Sequence, residues 1–524
     1  MASRQQTLLL ALLAGAMGAA CWLGSVPGSL DDLFLVLRAA RDPLARADWA
    51  VLGCSSLLDI GVKRASVLLA AKPESAAPWV GFALHALGCA WLFLECSRGA
   101  RPRPLGRTGW GLVQGLGLLA LAVACGSVPS EAAAYQLEGP VLLLCLLGMH
   151  ASARRGSALL FALACVGLSW ARPEGALLAL AWSLLLPGSL RTVGVGSACV
   201  AALLWAGLLG ALSPLPFPAS TLPLSFLVKH GDWQAELIQG LGYLAAWLRT
   251  PGGLGAVLLL GAGLACGGGI PSRLALLAAS LVALEGGDGY VGGRLLMPAS
   301  VLALLGASEA CGRGLRGAPA GLALAGVVLL AVSGRGAAVP GLRLVPSLVV
   351  PPGRGSGGGL PLELERRLVA GLRQLQAEAG GNLGVVHRDQ QVLLWLDPGL
   401  TVLDASGLSE PEVAAAPVSG AVRHGRDAFA ALAGRADVML LDHQRVRAGS
   451  WAGRSLGSAL LEEAESWIGR PRSASEVAAW EGQWGTASLP CGAGTWVNAL
   501  VRTELLEAAR RAGWVVDRAG ASRP

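Results

Sequence analysis

Apolar residues dominate the first 335 positions in long runs, near 7–26, 79–96, 111–127, 139–151, 157–171, 175–188, 192–213, 254–267, 273–285, 295–311 and 318–334. Runs of this length are the signature of helices that cross a bilayer of about 30 Å hydrocarbon thickness. Short polar segments punctuate them. Beyond PPGRGSGGGLP (351–361), a flexible linker by composition, the pattern becomes that of soluble sequence. LVAGLRQLQAEAG (368–380) has helical spacing, NLGVVHR and VLLWLDPGLTVLDASG read as strands broken by turns, DVMLLD (437–442) reads as a buried strand, and SALLEEAESWI as a helix.

Two segments break the membrane pattern. CSSLLDIGVKRASVLLAA (54–71) carries Asp59, Lys63 and Arg64 at its centre, where charge makes spanning costly. LIQGLGYLAAWL (237–248) is short and amphipathic. Both are expected to lie at a membrane interface.

Composition agrees. The chain is 53% hydrophobic and only 14% charged, against about 25% charged for soluble proteins. The net charge of +7 resides wholly before residue 340, where 22 basic and 15 acidic residues occur. The basic clusters Arg98 to Arg107, Arg154–Arg155, Arg191, Arg273, and Arg313 with Arg316 are expected on the cytoplasmic side. The intervening loops and everything after 334 then face outward. The first 26 residues imitate a signal peptide, and the apolar runs that follow favour an uncleaved anchor. Ten of eleven cysteines precede residue 312, mostly inside apolar runs, where thiols act as small hydrophobes. A Cys54–Cys491 bridge is conceivable in an oxidising compartment. No metal-ligand spacing and no nucleic-acid footprint is present.

Polar residues recur in one outward loop after another: Asp31–Asp32; Ser55, Ser56 and Asp59; Glu131 and Glu138; Arg172 and Glu174; Lys229, His230 and Asp232; Asp288 and Arg294. Each has an ordinary explanation as a helix cap, a turn residue or a snorkelling cation. Converging on one face, they would combine carboxylates with cations, which suits taking a proton from a hydroxyl while holding a phosphate.

Four stretches of the membrane region carry a resemblance to GT-C glycosyltransferases, and within them to bacterial proteins similar to mycobacterial terminal arabinofuranosyltransferases. DDLFLVLRAARD (31–42) resembles a DDAFI-x-x-R opening. GCSSLLD (53–59) resembles a Gly-x-Ser/Thr-Ser-x-Leu segment. LPFPASTLPLSFLVKHG resembles a Pro-Asn-Thr-x-x-x-Lys loop, though Pro218 is followed by Ala219-Ser220-Thr221 with no Asn. EGGDGYVGGRLLMPAS resembles a GGD-x(4,5)-R-F-L-x-P motif, with Leu295 in place of the aromatic. Beyond the linker, VLDASGLSEPEVA (402–414) resembles an Asp-x-x-Gly-Leu-x-Asp segment.

The resemblance implies a multi-spanning α-helical membrane protein with about 11–13 spans and a C-terminal extracytoplasmic α/β or α+β domain. Its expected layout is a catalytic membrane domain over 1–339, a linker over 340–362 and a soluble domain over 363–524. The implied reaction is inverting transfer of a sugar from a polyprenyl-phosphate donor to a cell-envelope glycan or glycolipid at a bacterial inner membrane. Asp31 or Asp32 would be the general base. Lys229, Arg294 and Arg172 would hold the donor phosphate. Asp288, Glu174, Glu138, Ser55, Ser56, Asp59 and His230 would contact sugar or acceptor. No cofactor is implied, a divalent cation being left open. A transporter or lipid or glycan flippase is the alternative, since charged pathways also place ionisable groups in membranes.

Overall fold

A computed structural model describes residues 4–24, 31–41, 54, 56–71, 73–99, 110–127, 139–223, 233–267, 269–286, 294–313, 318–333, 362–387, 391–405, 410, 413, 431–440, 475, 480, 482–492 and 495–516. The linker 351–361 and the SALLEEAESWI segment lie outside these. The chain divides into two compact units. The first holds Met1–Pro27, Ser55–Gly207 and Trp233–Gly355. The second joins Gly28–Cys54 and Leu208–Asp232 to Ser356–Pro524.

The first unit is helical: α1 (Arg4–Gly24), α3 (Leu57–Leu69), α4 (Pro73–Gly99), α5 (Trp110–Ser127), α6 (Gly139–Arg155), α7 (Ala158–Ala171), α8 (Pro173–Leu184), α9 (Gly188–Leu212, whose last turn belongs to the second unit), α10 (Trp233–Leu248), α11 (Pro251–Ala265), α12 (Ile270–Leu284), α13 (Met297–Gly312) and α14 (Ala318–Ser333). Among the described residues, Trp79–Arg98 in α4 and Gly188–Leu212 are each long and apolar enough to cross a membrane. Helices α10 and α11 pass together but meet at 93°. The break has a local cause. Thr250 caps α11 by accepting a hydrogen bond from the Gly253 amide at 3.0 Å, and Pro251 occupies the first turn, where its missing N–H costs nothing.

The core of this unit centres on α13, buried along nearly its whole length and packed against α4, α6, α11 and α12. A helix apolar all round belongs in an interior. Small residues set the closest approaches. A Cβ on Gly255 would lie 2.8 Å from the Gly326 carbonyl oxygen, and one on Gly326 the same distance from that of Gly255. Helices α11 and α14 therefore touch backbone to backbone, as small residues allow in lipid.

In the second unit a six-stranded sheet runs in the order β2-β1-β3-β5-β4-β6, with β1 (Gly384–His387), β2 (Thr401–Asp404), β3 (Val438–Leu440), β4 (Trp484–Gly492), β5 (Thr495–Arg502) and β6 (Val515–Val516). The pairs β1–β2 and β1–β3 are parallel and the remaining pairs antiparallel. Helices α15 (Leu362–Ala379), α16 (Gln391–Leu396) and α17 (Leu506–Arg511) cover one face. Leu368, Leu372, Leu375, Leu393 and Ala509 join Val385, Val402 and Val438 there. Val386, Leu403, Met439 and Leu500 face the other core. The segment VLLWL, expected as strand, is helix α16. The run is too short for periodicity to separate the two, and Leu393 satisfies the core from a helix. Cys54 and Cys491 are both free thiols.

Candidate active site

The acidic pair opens helix α2 (Asp31–Arg41) in the second unit. Acids are favoured in the first turn because the amides there are unsatisfied and the helix dipole is positive. The side chains of Asp31 and Asp32 lie outside the described residues; their helix does not. Every residue from Leu35 to Ala40, Arg38 included, is buried. Helix α2 packs on α16, and the Arg41 guanidinium sits 5.0 Å above the Trp395 ring centre. Such a cation–π contact stabilises by about 0.5–1 kcal/mol or more as it loses water. The acids thus stand on the first turn of a helix anchored further along by packing and by an arginine–tryptophan contact.

In the first unit, Ser56 caps α3, its Oγ accepting from the Asp59 amide at 3.0 Å. Asp59 and Lys63 form an ion pair at 3.5 Å, one turn apart and almost wholly buried. Ser66, the next polar residue on that face, is buried too, while Gly61, Ala65, Leu68 and Leu69 are exposed, Leu69 by 86%. The amphipathicity of α3 is inside-out. Its charged face turns toward the helices packed on it, α4 and α7, and its apolar face outward. That is the pattern of a helix immersed in an apolar medium, where ionisable groups face the bundle interior. The cost of burying the two charges is offset by their pairing. Asp59, expected to contact sugar or acceptor, is engaged by Lys63.

Arg172 stands at the joint between α7 and α8, with Pro173 starting α8. Its Nε donates to Glu174 Oε1. Gly175 is required here, since a Cβ would come within 2.1 Å of the Leu168 carbonyl oxygen. The two residues expected on donor phosphate and sugar are thus brought together as a partly buried pair. Arg294 opens a short 3-10 turn (Arg294–Leu296) before α13; its side chain lies outside the described residues, as do Ser55, Glu131, Glu138, Lys229, His230 and Asp288 altogether.

A second charged constellation escaped the sequence reading. Buried Glu95 on α4 accepts from Arg98 Nη1 at 2.5 Å and faces Arg154 Nη1 of α6 at 3.7 Å. Nearby on α6, His150 Nδ1 lies 3.9 Å from Glu309 Oε1 of α13, beyond hydrogen-bond length, and its ring is 6.3 Å from that of Trp182 on α8. Glu95 and Arg154 hold the ends of α4 and α6 together by charge. Arg98 and Arg154 had been accounted for as topology signals. The one hint in the sequence was Glu95, a lone acid inside an apolar run three residues before an arginine.

Among the described residues no group of three or more His, Cys, Asp and Glu side chains is arranged to hold a metal ion. No family model, no curated protein and no solved structure matches the chain.

Proposed function

We propose that the protein is a membrane glycosyltransferase of GT-C type, with about 11–13 spans. It transfers a sugar from a polyprenyl-phosphate donor to a glycan or glycolipid on the outer side of a bacterial inner membrane. What supports this best is helix α2, which sets two adjacent acids on its first turn and is fastened behind them by Arg41 over Trp395. A general base must be held in fixed geometry, and an anchored helix start provides that. In this reading Asp31 or Asp32 takes the proton of the acceptor hydroxyl as that oxygen attacks the anomeric carbon. The bond to the lipid phosphate breaks and the phosphate leaves with the electron pair. The neighbouring acid orients the acceptor, and Lys229 neutralises the departing phosphate.

The test is transfer by the full-length protein in liposomes without an ion gradient, supplied with radiolabelled polyprenyl-phosphate pentoses and hexoses. The double variant D31N/D32N is expected to lose about 10²–10⁴-fold of turnover with expression unchanged. Wild-type turnover in that variant, or movement of intact donor across the bilayer without transfer, would overturn the assignment.

A further inference from the structure

Helices α4 and α6 pack together, and both end in charge. Cations are favoured in the last turn of a helix, where carbonyl groups are unsatisfied and the dipole is negative. Arg98 on α4 and Arg154 on α6 stand there, 44% and 38% exposed. Glu95 lies beneath them, 3% exposed. Its Oε1 accepts from Arg98 Nη1 at 2.5 Å, and its Oε2 faces Arg154 Nη1 at 3.7 Å. Two guanidiniums thus sit on the two oxygens of one carboxylate. Among the described residues their other N–H groups donate to nothing further.

Membrane topology and the helix dipole account for the arginines. They do not account for Glu95, since burying a carboxylate carries a desolvation cost. What the acid adds is fixed geometry. A planar guanidinium held on its inner side presents its remaining donors outward in a set direction. The surroundings add positive charge. Arg155 and Arg313 are exposed at the same helix ends, and Arg154 and Arg313 both act on Glu309, so cations outnumber the two acids. Apolar surface begins directly afterwards. Gly156, in the left-handed region at φ 68°, ends α6, and the first turns of α7 expose Leu159, Leu160 and Leu163.

We infer that Arg98 and Arg154, held by Glu95, bind the phosphodiester headgroup of an anionic phospholipid whose acyl chains lie along α7. The chemistry selects the class. Arginine grips phosphate oxygens through paired donors, and basic clefts between helix ends at a membrane surface hold anionic headgroups. The aliphatic surface beside the cations favours a lipid over a soluble phosphate, which makes no use of it. The excess of cations favours an anionic lipid over a zwitterionic one, whose ammonium group they repel. Glu95 touches no lipid; it is a positioning residue. The inference stands apart from the glycosyltransferase reading, whose chemistry uses none of these residues.

The experiment titrates the full-length protein, purified in a neutral detergent, with phosphatidylglycerol, phosphatidylcholine and inorganic phosphate. Bound lipid is counted by native mass spectrometry, and the unfolding temperature is followed alongside. Phosphatidylglycerol is expected to bind and to raise the unfolding temperature, and the other two are not. R98Q and R154Q are each expected to weaken its binding by about fivefold, the effect of one cation at an anionic membrane surface. E95Q is the sharper test. It makes the cluster more positive, so unspecific attraction predicts tighter binding, whereas loss of the support behind the guanidiniums predicts weaker binding. Equal binding of phosphatidylcholine, an equal shift with inorganic phosphate, wild-type affinity in both arginine variants, or unchanged or tighter binding by E95Q would overturn the inference. Should R98Q or R154Q unfold because Glu95 is left uncompensated, E95Q/R98Q/R154Q leaves no lone buried charge and decides in their place. It is expected to bind phosphatidylglycerol no better than phosphatidylcholine, and wild-type affinity there overturns the inference equally.

Discussion

Each unit contains an acid–base pair, one buried and one largely open to water. In the first, Asp59 and Lys63 meet at 3.5 Å on one helix, 1% and 2% exposed. In the second, Arg373 on α15 grips Asp397 just after α16 with two donors, Arg373 being 42% exposed. The second pair has the better geometry. The first has the greater consequence, because water cannot screen it or replace either partner. Hydrogen-bond geometry alone therefore ranks these two contacts in the wrong order, and burial ranks them correctly.

The sharpest way to break this comparison is to remove one partner at a time. D59N or K63M alone leaves a buried charge uncompensated and should cost about 3–5 kcal/mol, read as thermal unfolding in detergent. The double variant D59N/K63M should recover most of that loss. A double variant as unstable as the singles would show that the pair is not the relevant unit. Next in size is packing. G255L must force α11 from α14 at a 2.8 Å approach and should cost about 1–3 kcal/mol, detectable in the same assay. W395A removes the platform under Arg41. It should cost about 1 kcal/mol and speed amide exchange across 35–40; unchanged exchange there would detach α2 from its anchor.

The smallest effect is the most diagnostic of exposure. The Arg373 hydrogen bonds hold the Asp397 carboxyl below the usual carboxylate range, with the Gly399 amide assisting. A lowered folded value means the contribution is complete at neutral pH. It fades as pH falls from the ordinary Asp value near about 4 through the folded one. Acid unfolding of the second unit should therefore begin at slightly higher pH in R373A, and the gap between variant and wild type should narrow in high salt. A gap indifferent to salt would place the pair in a drier setting than its exposure indicates.

The helices of the first unit were legible because apolar runs and helical structure coincide there; 139–151, 157–171 and 295–311 fall on α6, α7 and α13. Helix α15 was found from 368 onward but begins at Leu362, its first turn being too polar to show a stripe. What the linear pattern could not convey was direction. The charges of 54–71 were visible, yet their inward orientation depends on which neighbours α3 meets. Glu95 was hidden for a similar reason: its partner Arg154 is 59 positions away and belongs to another helix. Of the candidate site, the acids and their helix were legible, since DDLFLVLRAARD carries both a start signal and helical spacing. The helix's partner was not. Trp395 lies in a run that reads equally well as strand.

The contact between α2 and α16 also sets a timetable. Arg41 leaves the ribosome some 350 residues before Trp395, which at 5–20 residues per second is a wait of roughly 20–70 s. Throughout that interval α2 exists without the surface that will bury it. The nascent chain must shelter this helix, in the bilayer interface or on a chaperone, until the last third of the protein is made. A chain halted before residue 395 would leave the acidic pair on a helix with no fixed place to stand.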